Sequence, residues 1–258
     1  MRHLKNILAL ILLLSLLLGI NQCEQVTSTD SEARQLVYSV ASDSGLTPEE
    51  SRMYRQDAAR LAAREMLADP VMDSTRIRIP EEWEEIYYRS LLLVRNAENL
   101  IGTPDIKDFH TFMHPVLYPL IVEVDSTAEW ASAWREGNLM TGNPAVDTLV
   151  ENYKLSLSEV DTDYGLQVIL KSADPLNMYA LGTQFSKIDG VQYAEPNAVV
   201  GDGSDIEADR QSTVVMLTYW IKWGDCMAGC INGHYWRYQV RTQSGRVEYL
   251  GSGGDPLP

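Results

Sequence analysis

Residues 118–200 alternate between strand-like and helix-like patterns, and this alternation constrains the fold of the chain more than any other feature. Apolar residues at every second position predict strands at residues 120–124, 155–160, 166–171 and 191–200. Apolar residues three and four positions apart predict two helices after the first strand and one after the third. The predicted order is β-α-α-β-β-α-β. We therefore expect four antiparallel strands with helices on one face.

This order is that of the split βαβ, or ferredoxin-like, arrangement, which we assign to residues 116–200. Within it, the helix-to-strand return from Lys187 to Asn197 resembles that of subtilisin-like protease propeptides and related inhibitor domains. In that family the last strand leads into a tail that lies in the protease active site and is cut there. The resemblance implies an inhibitor or chaperone of such a protease. The chain continues for 58 residues past Val200, so a simple cleaved-tail inhibitor is not expected.

A helical segment at residues 46–115 is predicted to precede this core as a hairpin. Thr47-Pro48-Glu49-Glu50 has a hydroxyl cap, a proline at the first helical position and acidic residues at the positive end of the helix dipole. The helix should end before Asp69-Pro70. A second helix should begin at Pro80, with glutamates in its first turns that we interpret as solvated rather than as a cation site. Its buried stripe is predicted to be Trp83, Tyr87, Leu91 and Val94.

The last segment, residues 201–258, has the pattern of an antiparallel β-meander with strands at 213–223, 235–241 and 246–250. The meander could extend the preceding sheet or cover one of its faces. An acidic stretch comes before it, and its spacing lacks the order of an EF-hand, so we interpret it as a solvated linker rather than a calcium loop. The acidic residues are Asp202, Asp205, Glu207 and Asp209. Together the segments predict the α+β class.

The N-terminus has the layout of a bacterial secretory signal, which we assign to residues 1–22. Arg2 and Lys5 precede an apolar run at residues 7–18, whereas a membrane-spanning helix needs about 20 apolar residues. Cys23 follows in a segment that resembles a lipobox, although Ile20 and Gln22 depart from the usual pattern; the resemblance implies a lipid on Cys23. The alternatives are that the signal is cleaved and the protein released, or that the signal is not cleaved. Residues 23–45 are interpreted as a tether with a modest helical stretch at 32–41.

The charge of the chain excludes some classes of partner. Thirty-six acidic and 21 basic side chains give a formal net charge of −15, so a polyphosphate would be repelled and nucleic acid is not expected to bind. The sequence has no phosphate-binding glycine loop and no dinucleotide fingerprint, so neither a nucleotide nor any other cofactor is expected. A serine nucleophile elbow is also missing.

The stretch from Trp223 to Trp236 carries most of the chemically versatile residues. It resembles a block near the C-terminus of a group of exported bacterial proteins, a resemblance that implies no activity. Cys226 and Cys230 are four positions apart and should form a disulfide in an oxidising compartment. A metal site formed by both cysteines with His234 and Asp225, or a cysteine nucleophile, are alternatives.

His110 and His114 could also share a metal, but they are more typical of packing residues because Pro115 would end any helix there.

These features predict a non-enzymatic, exported binding or accessory module, either held at the cell envelope by a lipid on Cys23 or secreted. A protein or peptide partner could add as a strand, and Trp223, Tyr235 and Trp236 are the candidate contacts. The alternatives are an inhibitor-like partner of a subtilisin-like protease and a metal-dependent enzyme at the cysteine cluster. Alternatively, these aromatic residues have no binding role and only pack within the sheet.

Overall fold

The structure is a computed structural model that describes residues 34–258 except residues 99, 101, 163–164 and 199. In this part the chain forms six α-helices, one short 3-10 helix and nine strands in two antiparallel sheets, a mixed architecture compatible with the predicted α+β class. The predicted signal peptide and Cys23 lie outside the described residues. No helix within the described ranges combines the length and the apolar character needed to cross a membrane.

The bounds of the elements are as follows. The helices are α1 (Pro48–Leu67), α2 (Pro70–Thr75), α3 (Glu81–Arg95), α4 (Ala131–Arg135), α5 (Pro144–Asn152) and α6 (Met178–Phe185), with a 3-10 turn at Ile106–Asp108. The strands are β1 (Gln35–Tyr38), β2 (Pro119–Val124), β3 (Leu155–Asp161), β4 (Leu166–Ser172), β5 (Val191–Pro196), β6 (Asp205–Gln211), β7 (Val214–Trp223), β8 (Asn232–Arg241) and β9 (Arg246–Gly254).

Polar residues cap four of the six helices, and the cap at Thr47 confirms the prediction made above. Thr47 accepts a hydrogen bond from the amide of Glu50, and the Glu50 carboxylate accepts one from the amide of Thr47, which is a complete capping box. Asn143 and Asn177 cap α5 and α6 in the same sense. The sequence also predicts a helix capped by Ser126 or Thr127, but α4 begins at Ala131, because the Asp125 carboxylate holds the Thr127 amide in a turn instead.

The five-stranded sheet has the order β1-β9-β8-β7-β6, and α1 and α3 pack against each other and cover one of its faces. Tyr219, Tyr238 and Tyr249 are buried under the helices. The predicted helical stretch at residues 32–41 is wrong where the structure describes it, because Gln35–Tyr38 form β1 and pair with β9; this part of the predicted tether is therefore folded. The predicted linker is also wrong for Asp205, Glu207 and Asp209, because these residues belong to β6, which pairs with β7.

The four-stranded sheet has the order β3-β4-β2-β5 with every neighbouring pair antiparallel. Leu120, Val122 and Val124 of β2 are buried and alternate with less buried residues, so one face of the strand packs against α4, α5 and α6. The meander does not extend this sheet. It belongs to the separate five-stranded sheet, in which helices of the N-terminal segment are its partners.

Polar side chains connect α1 to distant parts of the chain. The guanidinium of Arg64 donates to the backbone carbonyls of Phe112, His114 and Ile206 and to the carboxylate of Asp205 at 3.0 Å. One helical position further, Glu65 accepts from Nε of Arg210 at 2.9 Å. Both carboxylate–guanidinium pairs join α1 to β6, which explains why β6 is fixed against the helices in this register.

Candidate interaction site at the β7–β8 loop

The loop between β7 and β8 is the most constrained of the surface features that the sequence indicates. The two strands pair from Val214 opposite Arg241 to Trp223 opposite Asn232, and residues 224–231 connect them. Cys226 and Cys230 form a disulfide within this loop, so the predicted pairing is confirmed. The disulfide closes a ring of five residues and limits the conformations open to the loop.

A neighbouring segment holds the loop from one side. The amide of Asp202 donates to the carbonyl of Cys226 at 2.8 Å, and the Asp202 carboxylate accepts from the Gly203 amide at 2.8 Å and from Nζ of Lys222 at 3.1 Å. Burial alone would raise the pKa of Asp202, but these hydrogen bonds and the charge of Lys222 outweigh it, and the pKa is lowered. The carboxylate therefore stays charged and keeps the Lys222 end of β7 next to the loop.

The residue after β9 holds the other arm of the hairpin. The amide of Asp255 donates to the carbonyl of Gly233 at 2.8 Å, and the Asp255 carboxylate accepts from the amide of Gly233 at 2.9 Å. Nδ1 of His234 lies 2.8 Å from the carbonyl oxygen of Asp255. The end of β7 is therefore bonded to the segment at Asp202, and the start of β8 is bonded to the segment at Asp255.

The anchored loop presents apolar side chains to solvent. Met227 and Ile231 each expose 73% of their surface. Val200 exposes 77%, and it directly precedes the segment that is bonded to Cys226. We call these three residues the apolar tip. Exposure of single apolar residues is common, but these three occur on one loop and the segment bonded to it, and the loop is closed by a covalent bond.

Gly224 sets the direction in which the loop leaves β7. Its φ of +102° lies in the left-handed region, and a Cβ atom there would lie 3.1 Å from Cβ of Ile231. A side chain at position 224 would therefore strain the backbone and displace Ile231. The glycine is required for the close approach of the two ends of the loop.

The aromatic residues predicted to contact a partner do not form one surface. Trp236 is buried and packs against Phe109, with ring centroids 5.8 Å apart, so it is not available to a partner. Tyr235 lies on the opposite face of the sheet and packs against Trp220, at 4.8 Å between centroids. Trp223 is half-buried at the last pair of the hairpin. Of the three residues, Trp223 is the one next to the loop.

The geometry does not favour the metal alternative at the cysteines. The two sulfur atoms are bonded to each other, so the thiolate ligands that the site requires are not present. His234 contacts the carbonyl of Asp255. Among the residues that the structure describes, no group of three or more histidine, cysteine, aspartate or glutamate side chains could hold a metal ion. The same bond removes the free thiol that a cysteine nucleophile would need.

The two histidines near residue 110 have different surroundings. Nδ1 of His110 lies 2.6 Å from the buried carboxylate of Asp57, which also accepts from the amide and hydroxyl of Thr111. His114 contributes its carbonyl to Arg64 instead. These contacts agree with packing between the helices and the segment that follows them.

Two of the four outer strands, β6 and β3, offer a poor surface for strand addition. β6 is an outer strand of the five-stranded sheet, and it exposes Glu207 and Asp209. β3 is an outer strand of the four-stranded sheet and has an irregular register between Leu157 and Glu159. Charges and bulges on edge strands oppose pairing with another chain. The loop is therefore a better candidate for a contact surface than either of these two strands.

Sequence reasoning missed three features of the site. The ion pair between Asp202 and Lys222 was hidden because the acidic stretch was interpreted as a linker. The exposure of Met227 and Ile231 could have been anticipated, because both flank the cysteines in a loop too short to bury them. The contacts of Asp255 had no sequence signal, since they depend on how the chain ends beside β8.

Comparison of the chain with protein-family models, with curated proteins and with solved structures gave no match, and its function is therefore inferred from its own geometry.

Proposed function

We propose that the chain is a non-enzymatic, exported binding module of the cell envelope that contacts a protein partner through the apolar tip. A lipid on Cys23 would attach it to a membrane, with the described residues outside the cytoplasm. The observation that carries the proposal is the presentation of Met227 and Ile231, both largely exposed, on a loop closed by a disulfide and bonded to two neighbouring segments. A loop that is ordered before binding loses little conformational entropy when it binds.

Charge favours a protein over other partners. The net charge of −15 opposes binding to nucleic acid or to an anionic membrane surface. Asp225 is exposed in the loop that carries the apolar tip, and Asp255, in the segment bonded to β8, is exposed as well. A protein surface with an apolar pocket and basic residues at its rim would complement this arrangement.

The proposed binding function is tested by photo-crosslinking of the full chain in the host that exports it. A photoreactive phenylalanine derivative at position 227 should give a defined crosslinked species. The same derivative at Val71, which is 73% exposed on α2, provides a control of matched exposure. Ile231→Asp should abolish the species formed from position 227. Equal crosslinking at positions 71 and 227, or no effect of Ile231→Asp in a folded chain, would reject the contact.

We also propose that the four-stranded sheet is a ferredoxin-like domain, which makes a subtilisin-like protease a second candidate partner. The strand order β3-β4-β2-β5 and the helices that pack on one face of β2 support this assignment. Incubation of the full chain with such a protease at micromolar concentration should slow cleavage of a peptide substrate. Unchanged cleavage would remove this candidate without affecting the one above.

A further inference from the structure

The five-stranded sheet has one face that packs against α1 and α3 and one that points away from them. Leu217 and Tyr219 of β7 belong to the buried cluster under the helices, so Thr218 between them lies on the opposite side of the sheet. We call this side the outer face. Its apolar residues Met216 and Trp220 belong to neither buried cluster of the described chain. The outer face is therefore a sheet surface without a packed layer.

Charged residues of opposite sign lie on the two strands that flank β7 on the outer face. β8 carries Arg237 and Arg241, β6 carries Glu207 and Asp209, and all four side chains are exposed. None of the four is in an ion pair within the described residues. Arg237 lies over the ring of Tyr235, with 5.1 Å between the guanidinium carbon and the ring centroid. The outer face thus has one basic edge and one acidic edge.

The strand register makes these two edges complementary to each other. Arg237 and Glu207 are both register partners of Thr218, so they flank β7 in the same row. A two-fold axis along β7 would place β8 of one copy of the chain over β6 of a second copy, and Arg237 would face Glu207 of that copy. An axis along β8 would instead place Arg237 over the same residue of the second copy, which like charges oppose.

The next two rows of the outer face also match a hydrogen-bond donor with an acceptor. Gln239 and Asp209 are both register partners of Met216, so the Gln239 amide would face the Asp209 carboxylate of the second copy. Gln211 donates from Nε2 to Asp209 at 3.1 Å, and its amide oxygen can accept from Arg241 of the second copy. In these three rows β8 therefore presents donors where β6 presents acceptors.

We propose that the outer face binds a second copy of this chain, face to face, in a two-fold symmetric dimer. Sheets that pack in this way lie about 10 Å apart, with strand directions within about 30° of each other, so the matched rows can meet. Val214, Met216 and Trp220 of β7 would form the centre of the interface and the charged residues its rim, which is the usual anatomy of a protein interface.

The overall charge of the chain limits the strength of the dimer without preventing it. Each copy carries a formal net charge of −15. At physiological ionic strength the Debye length is about 8 Å, so most charges of the two copies are screened from each other, whereas the facing side chains are closer. Three strands give a small interface, and we expect weak, reversible association. The apolar tip lies outside this face, so the two proposals can fail separately.

Sedimentation equilibrium of the full chain, from micromolar to millimolar concentration at physiological ionic strength, tests the proposal. We expect a reversible equilibrium between monomer and dimer. Arg237→Glu should weaken dimerisation by at least about tenfold, because it places like charges opposite each other, and Glu207→Arg should do the same. The double variant exchanges the two members of the pair and should dimerise like the wild type. Lys171→Glu makes the same change of charge at an exposed position of β4 and should have no effect.

A monomeric mass of the wild type at millimolar concentration would overturn the proposal, as would an equal loss in Lys171→Glu or no recovery in a folded double variant. A photoreactive phenylalanine derivative at position 216, in the host that exports the chain, gives a measurement that does not depend on the charge variants. The expected product has the mass of two chains. A product with a different protein, or no product, would reject a second copy as the occupant of the outer face.

Discussion

The two sheets are assembled from the chain in different ways. The four-stranded sheet and its helices use one continuous stretch, residues 119–196, which we call the continuous lobe. The five-stranded sheet combines β1 with β6–β9, and its covering helices come from the N-terminal segment. This second body, residues 34–115 and 201–258, is the interrupted lobe.

The two lobes also differ in which polar groups they bury. The continuous lobe buries only the neutral side chains of Ser172 and Asn177 among the residues described, whereas the interrupted lobe buries the carboxyls of Asp57 and Asp205. Burial raises the pKa of Asp205, and this effect outweighs the charge of Arg64 and the hydrogen bonds that Asp205 accepts. The pair therefore adds little net stability.

The Asp205–Arg64 pair instead helps to select one docked arrangement of the segments among several. Apolar surfaces attract without direction, so two segments separated by more than 100 residues could dock in several registers. A buried carboxylate that fits one guanidinium makes every register except the native one unfavourable in free energy. We infer that the interrupted lobe uses directional contacts to join its separate segments, whereas the continuous lobe is joined by strand pairing within one stretch of the chain.

Asp205→Ala should give the largest effect if this comparison is correct. It leaves Arg64 without its carboxylate and removes the acceptor of the Phe112 and Ile206 amides, so the free energy of unfolding should fall by about 4 kcal/mol. Denaturant unfolding measures the change. Asp174→Ala removes the exposed pair with Lys154 in the continuous lobe and should cost less than about 1 kcal/mol. Equal losses in the two variants would refute the distinction.

Leu170→Ala tests the apolar side of the comparison. Leu170 is fully buried in β4, and its truncation should reduce the free energy of unfolding by about 3 kcal/mol. Native-state hydrogen exchange should show earlier opening of β2–β5 than of β6–β9, because the continuous lobe can open as a unit. Uniform acceleration of exchange in both lobes would mean that they unfold together.

Removal of the disulfide sharpens the comparison within the interrupted lobe. The double variant Cys226→Ser, Cys230→Ser should lose about 2 kcal/mol of stability, since the closed ring is small. Crosslinking from position 227 should fall more than this loss suggests, because the loop would no longer be fixed. Thermal unfolding and crosslinking yield are the two measurements. Undiminished crosslinking would show that the hydrogen bonds of Asp202 and Asp255 are sufficient.

Glu84 should give the smallest effect, at the contact between the lobes. Burial raises its pKa to about 7, helped by Glu81 and by Asp174 of the continuous lobe and opposed by Arg55. A raised pKa favours the protonated form in the folded state, so stability should decline as the pH rises from about 4.5 to about 7.

Glu84→Gln should remove this decline. Because the carboxyl is only half-buried and solvent screens it, we expect the variant to be about 1 kcal/mol more stable than the wild type at pH 8, with no difference at pH 4. The exposed Glu82→Gln on the same helix is the control. Parallel stability profiles of wild type and Glu84→Gln between pH 4 and pH 8 would contradict the assignment.

The sequence predicted most of the local structure because local contacts determine it. The capping residues Thr47 and Asn143 act on amides two or three positions away, and β3 and β4 of the continuous lobe form a hairpin between consecutive strands. The disulfide was predictable for the same reason, since its cysteines are four positions apart.

The errors arose where distant partners decide the structure. β1 is four residues long, too short for a periodic pattern, and it is a strand because β9 lies beside it. β6 alternates acidic and apolar residues, which is a strand pattern, but Asp205 is buried against expectation because Arg64 reaches it from α1. The unpaired Nε atom of Arg95 carried no signal, because it depends on how the end of α3 packs against distant segments.

The pairing of β1 with β9 has a consequence for biogenesis. During synthesis, α1 and α3 leave the ribosome more than 100 residues ahead of β6, so Tyr87 and Leu91 have no sheet to cover them at first. The continuous lobe can fold before β6–β9 have been synthesised. Nascent chains stalled before residue 246 should therefore engage chaperones and be sensitive to protease in their earliest-made helices, although those helices are themselves complete.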